Sequence, residues 1–308
     1  MIFANPVLTR GRLKGMLNAV STACLAAAAL AFAACAAPTA GPTSSDSSAK
    51  PKPGTSATAA PGFAVVELFS SEGCSSCPPA DDVLAHVHAQ AKKEGRAVYT
   101  LAFHVDYWDH LGWKDRFATP EYTQRQRDYA FNLKTLSLYT PQMIVNGTSE
   151  FVGSKRARAE SDIAAALKTT APVAVAATLA ARKAGEPFVV DASALTAPAG
   201  TRLCAALAED GLVSQVKAGE NSGSTLKHEG VVRAYAAAAP DAKHAARLTL
   251  KPSATIDEAK STVVVFVQDE KTMRILGATA IPAQGTSSPT APTSAPTTAA
   301  GGVTPAKP

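Results

Sequence analysis

Cys74 and Cys77 stand three residues apart in LFSSEGCSSCPPADDVL (residues 68–84), between an apolar run and a segment patterned like the start of a helix. Two thiols at this spacing can carry thiol–disulfide exchange, hold a soft metal ion, or close a small staple. A thiol attacks only as thiolate, and a position at a helix N-terminus favours that charge through unpaired backbone N–H groups and the helix dipole. On this reading Cys74 attacks and Cys77, one turn on, resolves the mixed disulfide. Ser75 and Ser76 add hydroxyl donors but no charge, so the expected acidification of Cys74 is moderate. As a staple the pair would do little, since closing so short a loop constrains the unfolded chain by only about 2 kcal/mol. Structural zinc needs two further thiolates or histidines at ligand spacing, and no second pair is present. Copper(I) asks for less: two thiolates and one imidazole suffice, and His104 is expected near.

Elements that would position these thiols surround them. FAVVELFS (63–70) is a short continuous apolar run, as expected of a strand covered on both faces. ADDVLAHVHAQAKKEG (80–95) carries Val83, Leu84 and Val87 at helical spacing, acids in its first turn, lysines in its last and a terminal Gly. Pro78 and Pro79 are expected to make this helix begin irregularly or restart near Ala80. AVYTLAFHVDYW (97–108) is the next strand, and a β-α-β unit makes the two strands parallel neighbours. Parallel strands end on one edge, which brings His104, Asp106 and Trp108 beside the Cys74 turn. His104 and Asp106 then either move the proton of thiol exchange or are satisfied polar groups at a strand end. Trp108 and Trp113 are expected in the core. His86 and His88, two apart on a helix, face different sides and make no joint metal site.

TPEYTQRQRDYAFNL (119–133) reads as a helix with Thr119 as N-cap and Pro120 in its first turn. YTPQMIVNG (139–147) opens a strand at Pro141, EFVG follows, and KRARAESDIAAALKTT is a third helix. A cis Thr140–Pro141 bond there would turn the backbone toward the thiols and offer the Thr140 N–H and C=O to an extended substrate. From about residue 172 seven short strand-like runs alternate with turn signals, which reads as a separate antiparallel sheet or sandwich. Cys204, inside one of these runs, reads as a small buried hydrophobe.

The ends of the chain differ in texture. Residues 1–34 hold Arg10, Arg12 and Lys14, no acid, and then an Ala- and Leu-rich run, the build of a secretory signal. LAFAAC (30–35) is similar to a bacterial lipobox, with Phe32 where the pattern prefers Leu, Val or Ile, and implies a lipid anchor on Cys35. Cleavage after an Ala-x-Ala site is the alternative, and either route places the mature chain in the periplasm or outside the cell. Residues 35–61 and 283–308 are dominated by Pro, Thr, Ser, Ala and Gly and read as a disordered tether and tail. The net charge of +5 falls to +2 once the three cations of the leader are gone, so nucleic acid is not indicated. In an oxidising compartment Cys74 and Cys77 form a natural pair and Cys204 is left over.

The order strand, C-x-x-C, helix, strand, helix, Thr-Pro, strand pair, helix resembles the thioredoxin fold over residues 62–170, followed by a β-rich domain at 171–282. More specifically, VVELFSSEGCSSCPPAD, HVDYWDHLGWKDRFATPEYTQRQRDYA, YTPQMIVNG and GENSGSTLKHEGVVRAY are similar to a bacterial secreted family, domain-of-unknown-function family 1223, across nearly all of residues 62–281. That family name supplies a fold rather than an activity. The thioredoxin resemblance implies Cys74 as nucleophile, Cys77 as resolving thiol and Thr140–Pro141 as the cis-proline substrate loop. Glu72–Gly73 stands where thioredoxins commonly carry an aromatic residue before the first cysteine. The expected activity is exchange with protein or small thiols, without a cofactor. The rival is a copper(I) carrier or a redox-inert binding module.

Overall fold

The computed structural model describes residues 60–284 except Leu136. The expected leader, the lipobox with Cys35, the tether up to residue 59 and the tail from 285 lie outside those residues. The first strand, β1 (Ala64–Ser70), leads through the cysteine turn into α1 (Pro78–Glu94) and back along β2 (Val98–His104). After a short 3-10 turn at Asp106–Leu111 come α2 (Pro120–Leu133), β3 (Gln142–Val145), β4 (Ser149–Val152) and α3 (Arg156–Lys168). The rest is strand: β5 (Ala176–Leu179), β6 (Phe188–Ser193), β7 (Thr201–Glu209), β8 (Leu212–Gln215), β9 (Thr225–His228), β10 (Val231–Ala238), β11 (Ala245–Leu250), β12 (Ser261–Asp269) and β13 (Ile275–Pro282).

β1 and β2 pair in parallel with Ser70 opposite His104, as the crossover predicts. β3 joins the other side of β1 antiparallel and β4 follows it. Every residue of β1 is buried, and the two-residue period sorts them. Ala64, Val66 and Leu68 meet Val83, Leu84 and Val87 of α1 and Ile163 of α3, while Val65 and Phe69 face Tyr122 and Tyr129 of α2. Each fully buried residue of this size contributes roughly 1.5–3 kcal/mol.

The second half does not make a self-contained sheet. The order of the main sheet is β13-β12-β7-β10-β2-β1-β3-β4, eight strands in one continuous mixed sheet that crosses the expected boundary at residues 170–171. β10 joins β2 in parallel at Val231 opposite Ala102, and Gly230, in the left-handed region at φ 64°, lets the chain approach Thr100. Any Cβ at Gly230 would sit 2.7 Å from the Thr100 carbonyl oxygen. The alternation of β7 explains how one strand serves two layers. Cys204, Ala206 and Ala208 point to the α2 side, whereas Leu203, Ala205 and Leu207 pack against Phe188, Val190, Leu248 and Leu250 of a three-stranded sheet, β11-β6-β5. A sandwich-like core therefore exists in this half, but one of its two layers belongs to the sheet begun by β1. β8 and β9 form a separate hairpin that is not among the seven strand-like runs expected from the sequence. Among the described residues no helix is long and apolar enough to cross a membrane.

Candidate functional site

Cys74 and Cys77 are joined by a disulfide, with their Cα atoms 5.5 Å apart, and both residues are fully buried. The helix begins earlier than the sequence suggests: Cys77 is the N-cap of α1, and Pro78 and Pro79 occupy its first two positions. N–H groups at those positions have no intrahelical partner in any helix, so prolines cost nothing there. The same fact corrects the expected source of thiolate stabilisation. The two prolines bring no donors, and the N–H groups of Ala80 and Asp81 both donate to the Cys77 carbonyl. These amides are thus not free to meet the sulfur of Cys74, which lies a turn earlier.

Side-chain hydroxyls stand in for those amides. Thr140 Oγ1 donates to Cys74 Sγ at 3.2 Å and itself accepts from Trp108 Nε1 at 2.8 Å, so the indole fixes the hydroxyl over the sulfur. Ser76 Oγ lies 3.3 Å from the same sulfur and donates to the Thr140 carbonyl at 3.4 Å. The Thr140–Pro141 bond is cis. Gly153 closes the back of this corner: its N–H donates to the Pro141 carbonyl, and a Cβ there would come within 2.7 Å of Leu68. Trp108, expected in the core, is half-buried and carries this polar contact as well.

Beneath the turn lies a buried ionic layer. His104 Nδ1 is 2.6 Å from Asp115 Oδ2, which also accepts from the Glu72 N–H at 2.8 Å, and Asp115 Oδ1 accepts from the Phe117 N–H. Glu72 Oε2 accepts from Trp113 Nε1 at 2.8 Å. His228 Nε2 sits 3.3 Å from Glu72 Oε1, an ion-pair distance without hydrogen-bond geometry, and its ring packs edge-on to that of His104 at 5.0 Å. Glu72 Oε1, His104 Nε2 and both ring nitrogens of His228 are buried without a hydrogen-bond partner. Burial presses the His104 imidazole down, but Asp115, with Asp81 and Glu72 beyond it, outweighs this and holds its pKa above the ordinary value. Burial likewise pushes Asp115 and Glu72 up, yet His104 for the one, and His228 and Trp113 for the other, draw both below the usual carboxylate range. Asp81, which accepts from Ser70 Oγ at 2.9 Å, goes the other way because burial dominates.

Of the expected site residues, Cys74, Cys77, Thr140 and Pro141 come together at one corner, and His104 belongs to the layer below, with Asp115 as its partner. Asp106 is held by Thr123 and takes no part. Cys204 is buried on β7, where it accepts from Tyr235. Among the described residues the one group of three ligand atoms within 4.8 Å of one another is His88, Asp210 and Glu229, away from the thiols. Residues not singled out beforehand are Asp115, His228, Glu220 and Asn221. Asn221 Nδ2 donates to the carbonyls of both Glu72 and Cys74 at 2.9 Å, and Glu220 Oε2 accepts from the Ser75 N–H at 3.0 Å. A signal was available: all four fall within the motif stretches HVDYWDHLGWKD and GENSGSTLKHEG, which are well separated in sequence and which the fold brings onto the one that holds the cysteines.

Fold and site together define a mixed α/β protein with a disulfide-closed C-x-x-C turn set over a buried His–carboxylate layer. The chain belongs to the family described as protein of unknown function (DUF1223), whose model matches residues 65–268. It is similar to a protein of known crystal structure from Agrobacterium tumefaciens, at 27% identity and TM-score 0.53 over 71% of this chain and 94% of that one. HBP35 of Porphyromonas gingivalis shares the fold at 13% identity and TM-score 0.54, covering 77% of this chain and 80% of its own. No curated protein matches.

Proposed function

We propose that this chain is an exported thiol–disulfide exchange protein whose residues 62–170 act as a thioredoxin-like module. The observation that carries this reading is the Cys74–Cys77 disulfide with the Thr140 hydroxyl, fixed by Trp108, donated to the Cys74 sulfur. When the pair accepts electrons, a substrate thiolate attacks Cys74 Sγ, the Cys74–Cys77 bond breaks and Cys77 leaves as thiolate. A second substrate thiolate then attacks the substrate sulfur of the mixed disulfide and releases Cys74. The pair gains two electrons and two protons, and the substrate leaves as its disulfide; the reverse sequence reduces a substrate disulfide. Thr140 supports both directions because a hydroxyl donor stabilises the Cys74 thiolate whether it attacks or departs. The His104–Asp115 pair and Glu72, packed against the His228 ring, form a buried polar layer beneath the turn. Protein or small thiols are the substrates, no cofactor enters the step, and the composition of residues 1–34 supports export to the periplasm with a lipid anchor on Cys35.

The test is trapping. In glutathione buffers a Cys77→Ser variant should accumulate a mixed disulfide on Cys74, detected by intact mass and peptide mapping, because the resolving sulfur is gone. If Cys74 carried no adduct across the buffer range from oxidising to reducing, exchange would be ruled out.

A further inference from the structure

Both cysteines are fully buried, and the β8–β9 hairpin lies against their turn from the sequence-distant side, holding its backbone groups. Its tip runs from Val216 to Ser224 and touches the cysteine turn through polar groups. Asn221 Nδ2 occupies the carbonyls of Glu72 and Cys74, and the exposed carboxylate of Glu220 occupies the N–H of Ser75. Gly219, at φ 73°, sits against Trp113 so closely that a Cβ would lie 3.2 Å from that residue's own Cβ. Lower down, Arg116 donates to the Val213 carbonyl, and His228 at the end of β9 approaches Glu72. The hairpin is flanked by Gly211 and Gly230, both in the left-handed region. Cavities of about 310 and 450 Å³ lie elsewhere and include neither cysteine in their walls.

The three groups that the tip covers, two backbone carbonyls and one N–H on an irregular turn, are those with which an extended chain pairs. We propose that the β8–β9 hairpin is an autoinhibitory strap over the disulfide, displaced by a partner polypeptide that takes over the backbone groups of Glu72, Cys74 and Ser75. The inference rests on the exchange reading and adds the class of substrate to it. Asn221 and Glu220 act here as gating residues and do no chemistry. A small thiol has too few backbone groups to replace them, so the closed strap slows its attack without blocking the equilibrium with a glutathione buffer, whereas a polypeptide opens the strap itself.

The rate at which a small water-soluble phosphine reduces the disulfide reads access directly and needs no activity of the protein. The phosphine attacks one sulfur, the S–S bond breaks, and water completes the step as phosphine oxide and two thiols form. Asn221→Ala and Glu220→Ala should be reduced about tenfold and a few-fold faster than the parent protein. Glu220→Gln, which keeps an acceptor for Ser75, should remain near the parent rate, and a short dithiol peptide should outpace dithiothreitol on the parent but not on Asn221→Ala. Glu220 is exposed, so its variants fold even if Asn221→Ala is loosened. Equal phosphine rates in all four proteins would overturn the strap, and the Cys77→Ser adduct would still decide exchange separately. Faster reduction in the variants with no preference for the peptide would overturn the polypeptide as the displacing partner.

Discussion

Two buried ionic clusters lie on the same sheet and are built in opposite ways. At the centre, Arg125 of α2 forks onto Glu67 of β1 at 2.6 and 2.9 Å, and its remaining nitrogen reaches Tyr235 and Gln268. Tyr129 donates to Glu67 and Gln268 donates to Tyr129, so each partner is satisfied, and the rings of Phe103, Tyr129, Tyr235 and Phe266 surround the guanidinium. Five residues past Glu67, at the mouth of the same strand, Glu72, His104, Asp115 and His228 leave four buried polar atoms unpaired. A fully paired network fixes packing, whereas unpaired atoms beside a reactive pair are a store of electrostatic free energy that changes with protonation and with what binds above. The first cluster ties α2 to both halves of the sheet; the second serves the cysteine turn.

The largest effect should come from breaking the paired cluster. Arg125→Leu leaves Glu67 buried without its cation, which costs about 3–5 kcal/mol. For a unit of this size that corresponds to a fall in Tm of roughly 6–20 °C. Adding Glu67→Leu should restore part of the loss, because no unpaired charge then remains. His104→Gln should cost far less, about 1–2 kcal/mol, since Asp115 keeps the N–H groups of Glu72 and Phe117. Thermal unfolding of the four proteins sets these side by side; a His104→Gln loss equal to that of Arg125→Leu would erase the distinction.

The next effect concerns the sulfur itself. In reduced protein Thr140→Val removes the hydroxyl aimed at Cys74 Sγ, and hydrogen bonds to charged groups contribute about 1.5–3 kcal/mol. The thiol pKa of Cys74 should therefore rise by about 1–2 units, while Thr140→Ser should leave it near its starting value. Alkylation rate against pH measures both. An unchanged profile in Thr140→Val would mean that the hydroxyl holds the loop and does not tune the thiol.

Much of this site was legible because its determinants are local or follow from one crossover. Thr119 and Pro120 announce α2, and the Thr119 hydroxyl does accept from the Tyr122 N–H. The apolar runs of β1 and β2 and the helix between them place His104 opposite Ser70. Alternation tells which face a residue joins but not which strand it pairs with, so nothing in Val231–Ala238 discloses that β10 would dock on β2 and fuse the two halves into one sheet. The hairpin was hidden for a different reason: LVSQ and TLKH are too short to show a sustained apolar alternation, and the polar contacts of the tip between them reach the cysteine turn, 145 and more residues away in sequence. Asp115 and His228 were invisible as partners for the same cause, since His104 and Glu72 meet them only once the 3-10 turn and the hairpin have folded back.

The smallest effect separates the acids of the second cluster by sign. Asp115 is held below the ordinary carboxylate range, so its stabilisation is present above its unfolded pKa near 3.8 and disappears as pH falls through the lower folded value. His104, raised above 6.5, contributes stability that is complete below that value and is lost as pH climbs through the folded one. Asp81 opposes both: its folded pKa is raised by burial, so its cost grows from about pH 3.8 upward and stays at full size once it has ionised in the folded state as well. Asp81→Asn keeps an acceptor for Ser70 and removes that cost. It should stabilise the protein at neutral pH by an amount on the scale of ordinary surface changes, about 0.5 kcal/mol, and the gain should vanish toward pH 3. Denaturant unfolding at pH 3, 5 and 7 measures it. A destabilised Asp81→Asn at pH 7 would show that the carboxylate at α1 is needed as a charge facing His104 and His228, and would move Asp81 from bystander to member of the layer beneath the disulfide.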